Sequence, residues 1–199
     1  MITIFYSPQP DEQPDSSAAY EYAKRASDLL SQQQQQQTVA IHRLSLDSLN
    51  MIGKQAAAAP LEDEEKAASC TIIIVSCSAD GSVDRIVRKI IRNMKNQENN
   101  KDDSNKTDES ESESVVTVLL GHARCDNSAN QMKDTIFNYG RKFHKCIEQL
   151  QSVSSSNSTA NTSVRERLEV QVELEGPDVP GGFDEWVVAS YWAKTKLTT

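Results

Sequence analysis

Two adjacent hydroxyl residues, Ser16 and Ser17, stand just before a helical pattern and shortly after the apolar run Ile2–Tyr6. Hydroxyl groups and free backbone N–H groups at a helix N-terminus bind anions such as phosphate. The same turn carries three acids, which repel an anion, and three prolines, which lack an N–H donor: Asp11, Glu12, Asp15, Pro8, Pro10 and Pro14. Two interpretations stay open, a phosphate cradle and a solvated connector in which Asp15 or Ser16 only caps the helix.

Two further reactive side chains follow predicted buried strands. Cys77 comes after Thr71–Val75, and His122 comes two residues after Val115–Leu120. Nothing basic lies beside Cys77 in the sequence to activate a thiolate, and His122 has no visible partner for acid–base chemistry. No Ser/His/Asp set, zinc signature, Walker loop or G-x-G-x-x-G motif occurs. The sequence therefore predicts no catalytic residue and no metal ligand.

Five segments are predicted as strands that would position these residues. Three are unbroken apolar runs rich in β-branched residues, typical of strands buried on both faces: Ile2–Tyr6, Thr71–Val75 and Val115–Leu120. Leu168–Leu174 alternates strictly between apolar and polar residues, which predicts a strand with one solvated face. Val39–Leu44 alternates more weakly.

Apolar stripes at helical spacing lie between or after these strands. The first two run from Ala19 to Leu30 and from Val83 to Met94, and the last two run from Met132 to Leu150 and from Phe183 to Tyr191. Alternating strands and helices predict an α/β fold, a doubly wound parallel sheet in a three-layer sandwich. Because the second and fifth strands have one polar face each, they belong at the edges, which the order 2-1-3-4-5 satisfies.

The composition and net charge of the chain exclude some classes of function. The chain has 199 residues and a formal net charge of −8, which argues against a DNA-binding or general nucleic-acid-binding protein. It shows no membrane-spanning run and no export leader, so we expect a soluble, cytoplasmic protein with no membrane contact.

The cysteines, without C-x-x-C spacing, are expected to be free thiols: Cys70, Cys77, Cys125 and Cys146. We expect one domain over residues 1–199, with disordered or low-complexity insertions at about 32–37, 97–114 and 152–163.

Several segments resemble the flavodoxin-like domains of diflavin reductases and of radical-SAM wybutosine-synthesis enzymes. Ala18–Arg25 is similar to the family's first helix, and Ser78–Gly81 stands where the second flavin loop begins. Gly121 stands where the third loop opens, Phe137–Leu150 resembles the helix after it, and Gly182–Trp186 looks like the closing helix.

The resemblance implies an FMN site at the carboxyl edge of the sheet. Ser16 and Ser17 would hold the phosphate, and the two later loops would flank the ring through Ser78, Asp80, Gly81, Gly121, Asn127 and Ser128. The aromatic residue that the family stacks on the flavin is missing between Ser76 and Asp84 and between Gly121 and Thr135. Phe137 and Tyr139, the nearest aromatic residues, are interpreted as packing residues.

One helix carries a basic face that is either solvated or a docking surface: Arg85, Arg88, Lys89, Arg92 and Lys95. Two functions follow from the sequence. The first is an FMN-binding electron-transfer domain that serves a redox partner protein, at most an oxidoreductase component. The second is a degenerate flavodoxin-like scaffold or protein-interaction module that no longer binds FMN.

Overall fold

A computed structural model describes residues 2–33, 38–48, 70–98, 114–122, 135–152 and 165–172, together with residues 183, 184 and 187. The described strands are β1 (Ile2–Ser7), β2 (Val39–Arg43), β3 (Cys70–Cys77), β4 (Ser114–His122) and β5 (Arg165–Val172). The described helices are α1 (Ala18–Gln33), α2 (Arg85–Glu98) and α3 (Asn138–Ser152), and a short 3-10 helix (Pro14–Ser16) precedes α1.

The five strands form one parallel sheet in the order β2-β1-β3-β4-β5. Ile4 of β1 pairs with Ile41 on one side and with Ile72 on the other, which places β1 inside the sheet. Val118 of β4 pairs with Ile74 and Leu168, which leaves β5 at the far edge. The predicted α/β fold and strand order are confirmed, and the arrangement is that of a flavodoxin-like fold.

Side chains alternate between the two sheet faces, and each face has its own core. One face packs its apolar residues, such as Ile4, Ile74 and Val118, against the small-residue stripe of α1. The other face, with Phe5, Ile73, Val75 and Leu119 among its residues, packs against the apolar sides of α2 and α3. Helices therefore cover both faces of the sheet.

Two residues near the C-terminal end of the sequence complete the α1 face. Phe183 and Val187 are buried there, and Phe183 meets the ring of Tyr22 edge-on with 4.9 Å between ring centroids. Arg25 of α1 donates two hydrogen bonds, of 2.8 and 2.7 Å, to the carboxylate of Asp184. The two apolar residues of the predicted closing stripe that the structure describes thus pack as expected.

Most of the predicted low-complexity residues lie outside the described ranges. At the margins, Gln32 and Gln33 continue α1, Gln97 and Glu98 continue α2, Ser114 begins β4, and Ser152 ends α3. Within the described parts of the chain, no helix combines the length and the apolarity that crossing a membrane requires.

Candidate functional site at the carboxyl edge of the sheet

The carboxyl ends of β1, β3 and β4 lie side by side. Ser7 of β1 pairs with Val75 of β3, and Cys77 of β3 pairs with Gly121 of the neighbouring β4, so the three strands end at one rim. The loops after β1 and β3 also touch, since the Ser78 hydroxyl donates a hydrogen bond of 3.2 Å to Oε1 of Gln9. The expected placement of the three strand ends at one edge of the sheet is confirmed.

Ser17 is the N-cap of α1. Its buried hydroxyl donates to the Pro14 carbonyl at 2.7 Å and accepts from the Tyr20 amide at 3.2 Å. Ser16, one residue earlier, is exposed in the 3-10 helix. The structure therefore gives Ser17 a capping role, while a phosphate role for either serine stays a prediction.

The carboxylate of Glu12 lies over the N-terminus of α1. Its Oε1 accepts from the Ala18 amide at 3.4 Å, and its Oε2 accepts from the Gln9 amide at 3.1 Å. Asp11, directly before it, has a φ of 66°, a left-handed conformation that turns the loop back toward the helix. The half-buried Glu12 thus places a negative charge at the position where a helix N-terminus attracts an anion.

Asp15 engages the end of β1. The Tyr6 hydroxyl donates to Oδ1 of Asp15 at a long 3.5 Å. Burial is the largest cause that raises the pKa of Tyr6, and the nearby Asp15 charge raises it further. This contact ties the predicted connector to the sheet.

The loop after β3 forms three hydrogen bonds within itself. The Ser78 amide donates to the Ser82 carbonyl at 2.9 Å, and the Gly81 amide donates to the Ser78 carbonyl at 2.7 Å. The Asp80 carboxylate accepts from the Ser82 amide at 2.9 Å. Gly81 has a φ of 79°, and a Cβ atom built there would lie 2.1 Å from the Thr135 carbonyl oxygen. This predicted flavin loop is therefore a closed turn packed against the backbone before α3.

Gly121 is covered by side chains. A Cβ atom there would lie 2.6 Å from both Cγ2 of Ile136 and Cζ of Phe137, and both residues are buried. Phe137 packs as predicted, whereas Tyr139 is 40% exposed, so the expectation that it packs is wrong. Asn127 and Ser128 lie outside the described residues.

Three buried polar atoms at this rim have no hydrogen-bond partner among the described residues: Ser7 Oγ, Ser76 Oγ and His122 Nε2. Strand alternation puts Ser76 and His122 on the α1 side of the sheet and Ser7 on the other side. His122 is only 7% exposed, and burial lowers its pKa against the opposing effect of the Glu12 carboxylate. Ser7 and Ser76 were missed by sequence reasoning, although a serine that ends a buried apolar strand is a usable signal.

Cys77 is fully buried beside these groups, and a Cβ atom built at Gly140 would lie 3.1 Å from its Sγ. Burial raises the pKa of the thiol to about 12. Cys77 is thus a packed, unreactive thiol, and Cys70 and Cys146 are likewise buried as thiols, as predicted, and not as disulfides. Cys125 lies outside the described residues.

No protein-family model matches this sequence, and a search of curated proteins finds no match. Across the described ranges, no group of three or more His, Cys, Asp or Glu side chains is placed to bind a metal ion. The geometry of the sheet edge and of the surface is therefore the basis on which we infer function.

Proposed function

We propose that this chain is a flavodoxin-like binding module that acts through contacts with another macromolecule and does not carry FMN. The observation that supports this proposal is the position of Glu12. Its carboxylate accepts a hydrogen bond from the Ala18 amide at the N-terminus of α1, where the fold would receive a phosphate, and another from the Gln9 amide in the loop after β1.

Electrostatics favours the carboxylate over a bound phosphate. A second negative charge about 5 Å from Glu12, at an effective dielectric constant near 20, costs roughly 3 kcal/mol per unit charge. The hydroxyl of Ser17 offers no compensation while it caps the helix through Pro14 and Tyr20. The described residues therefore do not fit the phosphate of FMN.

The two ring-side loops support the same conclusion. Flavin loops provide backbone N–H groups and an open edge, but in the Ser78–Ser82 turn the amides of Ser78, Gly81 and Ser82 donate within the turn itself. Gly121 lies under Ile136 and Phe137, so its backbone is covered by side chains on that side of the sheet.

A second candidate, the FMN-binding electron-transfer domain, is favoured by one specific observation. Ser7, Ser76 and His122 leave buried polar atoms without partners at the edge where this fold binds ligands. Buried polar groups normally form hydrogen bonds. A ligand that bonds to these three atoms would therefore remove the free-energy cost of leaving them unsatisfied. When bound, FMN would supply one- and two-electron redox chemistry.

Titration with FMN separates the two candidates. We expect the purified protein to lack the visible absorption of a flavin and to leave FMN fluorescence unquenched up to millimolar FMN. A preparation that is yellow, or that binds FMN tightly, would refute the proposal.

Two variants test the role of Glu12. Glu12→Gln removes the charge but keeps an acceptor for the Ala18 amide, and we expect it to gain measurable affinity for inorganic phosphate. Asp11→Asn is the matched control, because it removes one charge from the same loop and asparagine tolerates the left-handed backbone. Equal responses of the two variants would contradict the blocking role of Glu12.

A further inference from the structure

We infer that the basic face of α2 continues onto α3 and forms one docking surface for an acidic segment of a partner protein. We call this surface the cationic face, and it consists of Arg85, Arg88, Lys89, Arg92, Lys95, Lys142 and Lys145. The inference deepens the proposed function, on which it rests, by naming the surface and the chemistry of the partner.

The two helices carry these cations on the same side of the molecule. The apolar sides of α2 and α3 pack into one core on the same sheet face, through residues such as Val87, Ile90, Phe143 and Ile147. Six of the seven cations are exposed, and Lys89 is half-buried. Arg85 and Lys95 are ten residues apart in sequence, so the α2 part of the surface is about 15 Å long.

The cations of the cationic face are not paired with acids in the described part of the chain. None of the seven forms an ion pair with another described residue. The acids described on or beside the helices are already engaged, since Asp84 accepts from the Ile86 amide at 2.7 Å and Glu148 lies 3.2 Å from Nε2 of His144. The Asp84 and Glu148 carboxylates thus have described partners other than the seven cations.

The residue types favour a protein partner. Arginine binds carboxylates through two parallel hydrogen bonds, and arginine and tyrosine are enriched where protein interfaces gain most of their energy. Tyr139 supplies an exposed ring beside the cations, with Nζ of Lys142 at 4.7 Å from its centroid.

The net charge favours a short acidic segment over a nucleic acid. A long polyanion would extend beyond the cationic face and meet the repulsion of a chain whose formal net charge is −8. A short acidic peptide gains the local attraction without that repulsion.

The test measures binding of a fluorescent oligoglutamate peptide to the full chain at low salt. We expect binding that weakens as salt rises, and we expect Arg88→Glu/Arg92→Glu to weaken it by about tenfold or more. Lys24→Glu/Arg43→Glu is the matched control, since it changes the net charge equally at exposed positions elsewhere, and it should weaken binding by less than about threefold. No binding by the unmodified chain, or equal losses in the two variants, would overturn the inference.

Two further binding measurements test whether the cationic face binds a nucleic acid or the chain's own acidic stretch. An oligouridylate of equal charge that binds more tightly than the peptide would identify a nucleic-acid surface and overturn the protein assignment. Replacement of the acids in the chain's own stretch 108–113 by their amides should leave peptide affinity within about threefold, whereas a tenfold gain would identify that stretch as the occupant. The FMN titration tests the proposed function separately. The failure of the proposed function can therefore be distinguished from the failure of the docking inference.

Discussion

Arg141 of α3 donates hydrogen bonds to both carboxylate oxygens of Glu169 in β5, with Nε–Oε1 at 2.7 Å and Nη2–Oε2 at 2.8 Å. Glu169 lies on the polar face of the edge strand, which the sequence pattern predicted to be solvated. Its side chain is only 24% exposed, because Arg141 of α3 lies against it, whereas Arg167 on the same face of the strand is exposed. The pair therefore fastens the last described strand to the helix that precedes it.

A double-mutant cycle with Arg141→Met and Glu169→Gln should reveal a coupling free energy of about 1 kcal/mol in urea unfolding, since the pair is bidentate and partly buried. The exposed ion pair between Lys24 and Glu21 provides the control, with side chains 46% and 60% exposed. Its coupling should stay below about 0.5 kcal/mol. Similar couplings for the two pairs would contradict a special role for Arg141.

Ser17 and Ser16 should differ sharply on replacement by alanine. Ser17→Ala removes both cap hydrogen bonds of α1 and should lower the free energy of unfolding by about 1–2 kcal/mol. Ser16→Ala changes an exposed side chain and should cost less than about 0.5 kcal/mol. Denaturation midpoints measured side by side check this, and equal losses would show that Ser17 is not the cap.

Gly81 should tolerate a methyl group less well than Gly140. Gly81→Ala meets the Thr135 carbonyl and a φ of 79°, and neither can relax cheaply, so we expect a loss of about 2 kcal/mol or more. At Gly140 the nearest atoms are the side-chain ends of Leu119 and Cys77, and alanine gains about 1 kcal/mol of helix propensity. Gly140→Ala should therefore cost less in urea unfolding, and the reverse ranking would contradict this account.

The strand order was predictable because a strand buried on both faces and a strand buried on one face have different patterns of apolar residues in the sequence. The unbroken apolar runs of β1, β3 and β4 and the alternation at Leu168 and Val170 are such patterns, and the structure confirms them. Parallel strands then bring their carboxyl ends together, so the ends of β1, β3 and β4 were correctly expected to lie side by side.

The chemistry of the edge was much less predictable. Glu12 reaches the Ala18 amide through a left-handed turn at Asp11 and a particular side-chain conformation, neither of which the sequence pattern encodes. The cover over Gly121 comes from Ile136 and Phe137, fifteen and sixteen positions later in the chain. Such contacts depend on how separate elements pack, so a glycine that looked like a loop residue serves close packing instead.

Alkaline pH should destabilise the fold through two buried groups. Burial raises the pKa of Cys77 from 9.0 to about 12 and that of Tyr22 from 10.0 to about 12. Below pH 9 both groups are protonated in the folded and unfolded states, so they add no pH dependence. Above pH 9 the unfolded chain loses these protons first, and the free energy of unfolding should fall until about pH 12.

Tyr22→Phe isolates one of the two contributions. The Tyr22 hydroxyl is buried without a hydrogen-bond partner among the described residues, so phenylalanine keeps the packing and should not cost stability at pH 7. Above pH 10 the variant should lose stability less steeply than the unmodified chain, because its unfolded state no longer gains by ionising that phenol. Urea unfolding across this pH range measures both slopes, and identical slopes would mean that the Tyr22 phenol ionises as readily in the folded protein as in the unfolded chain.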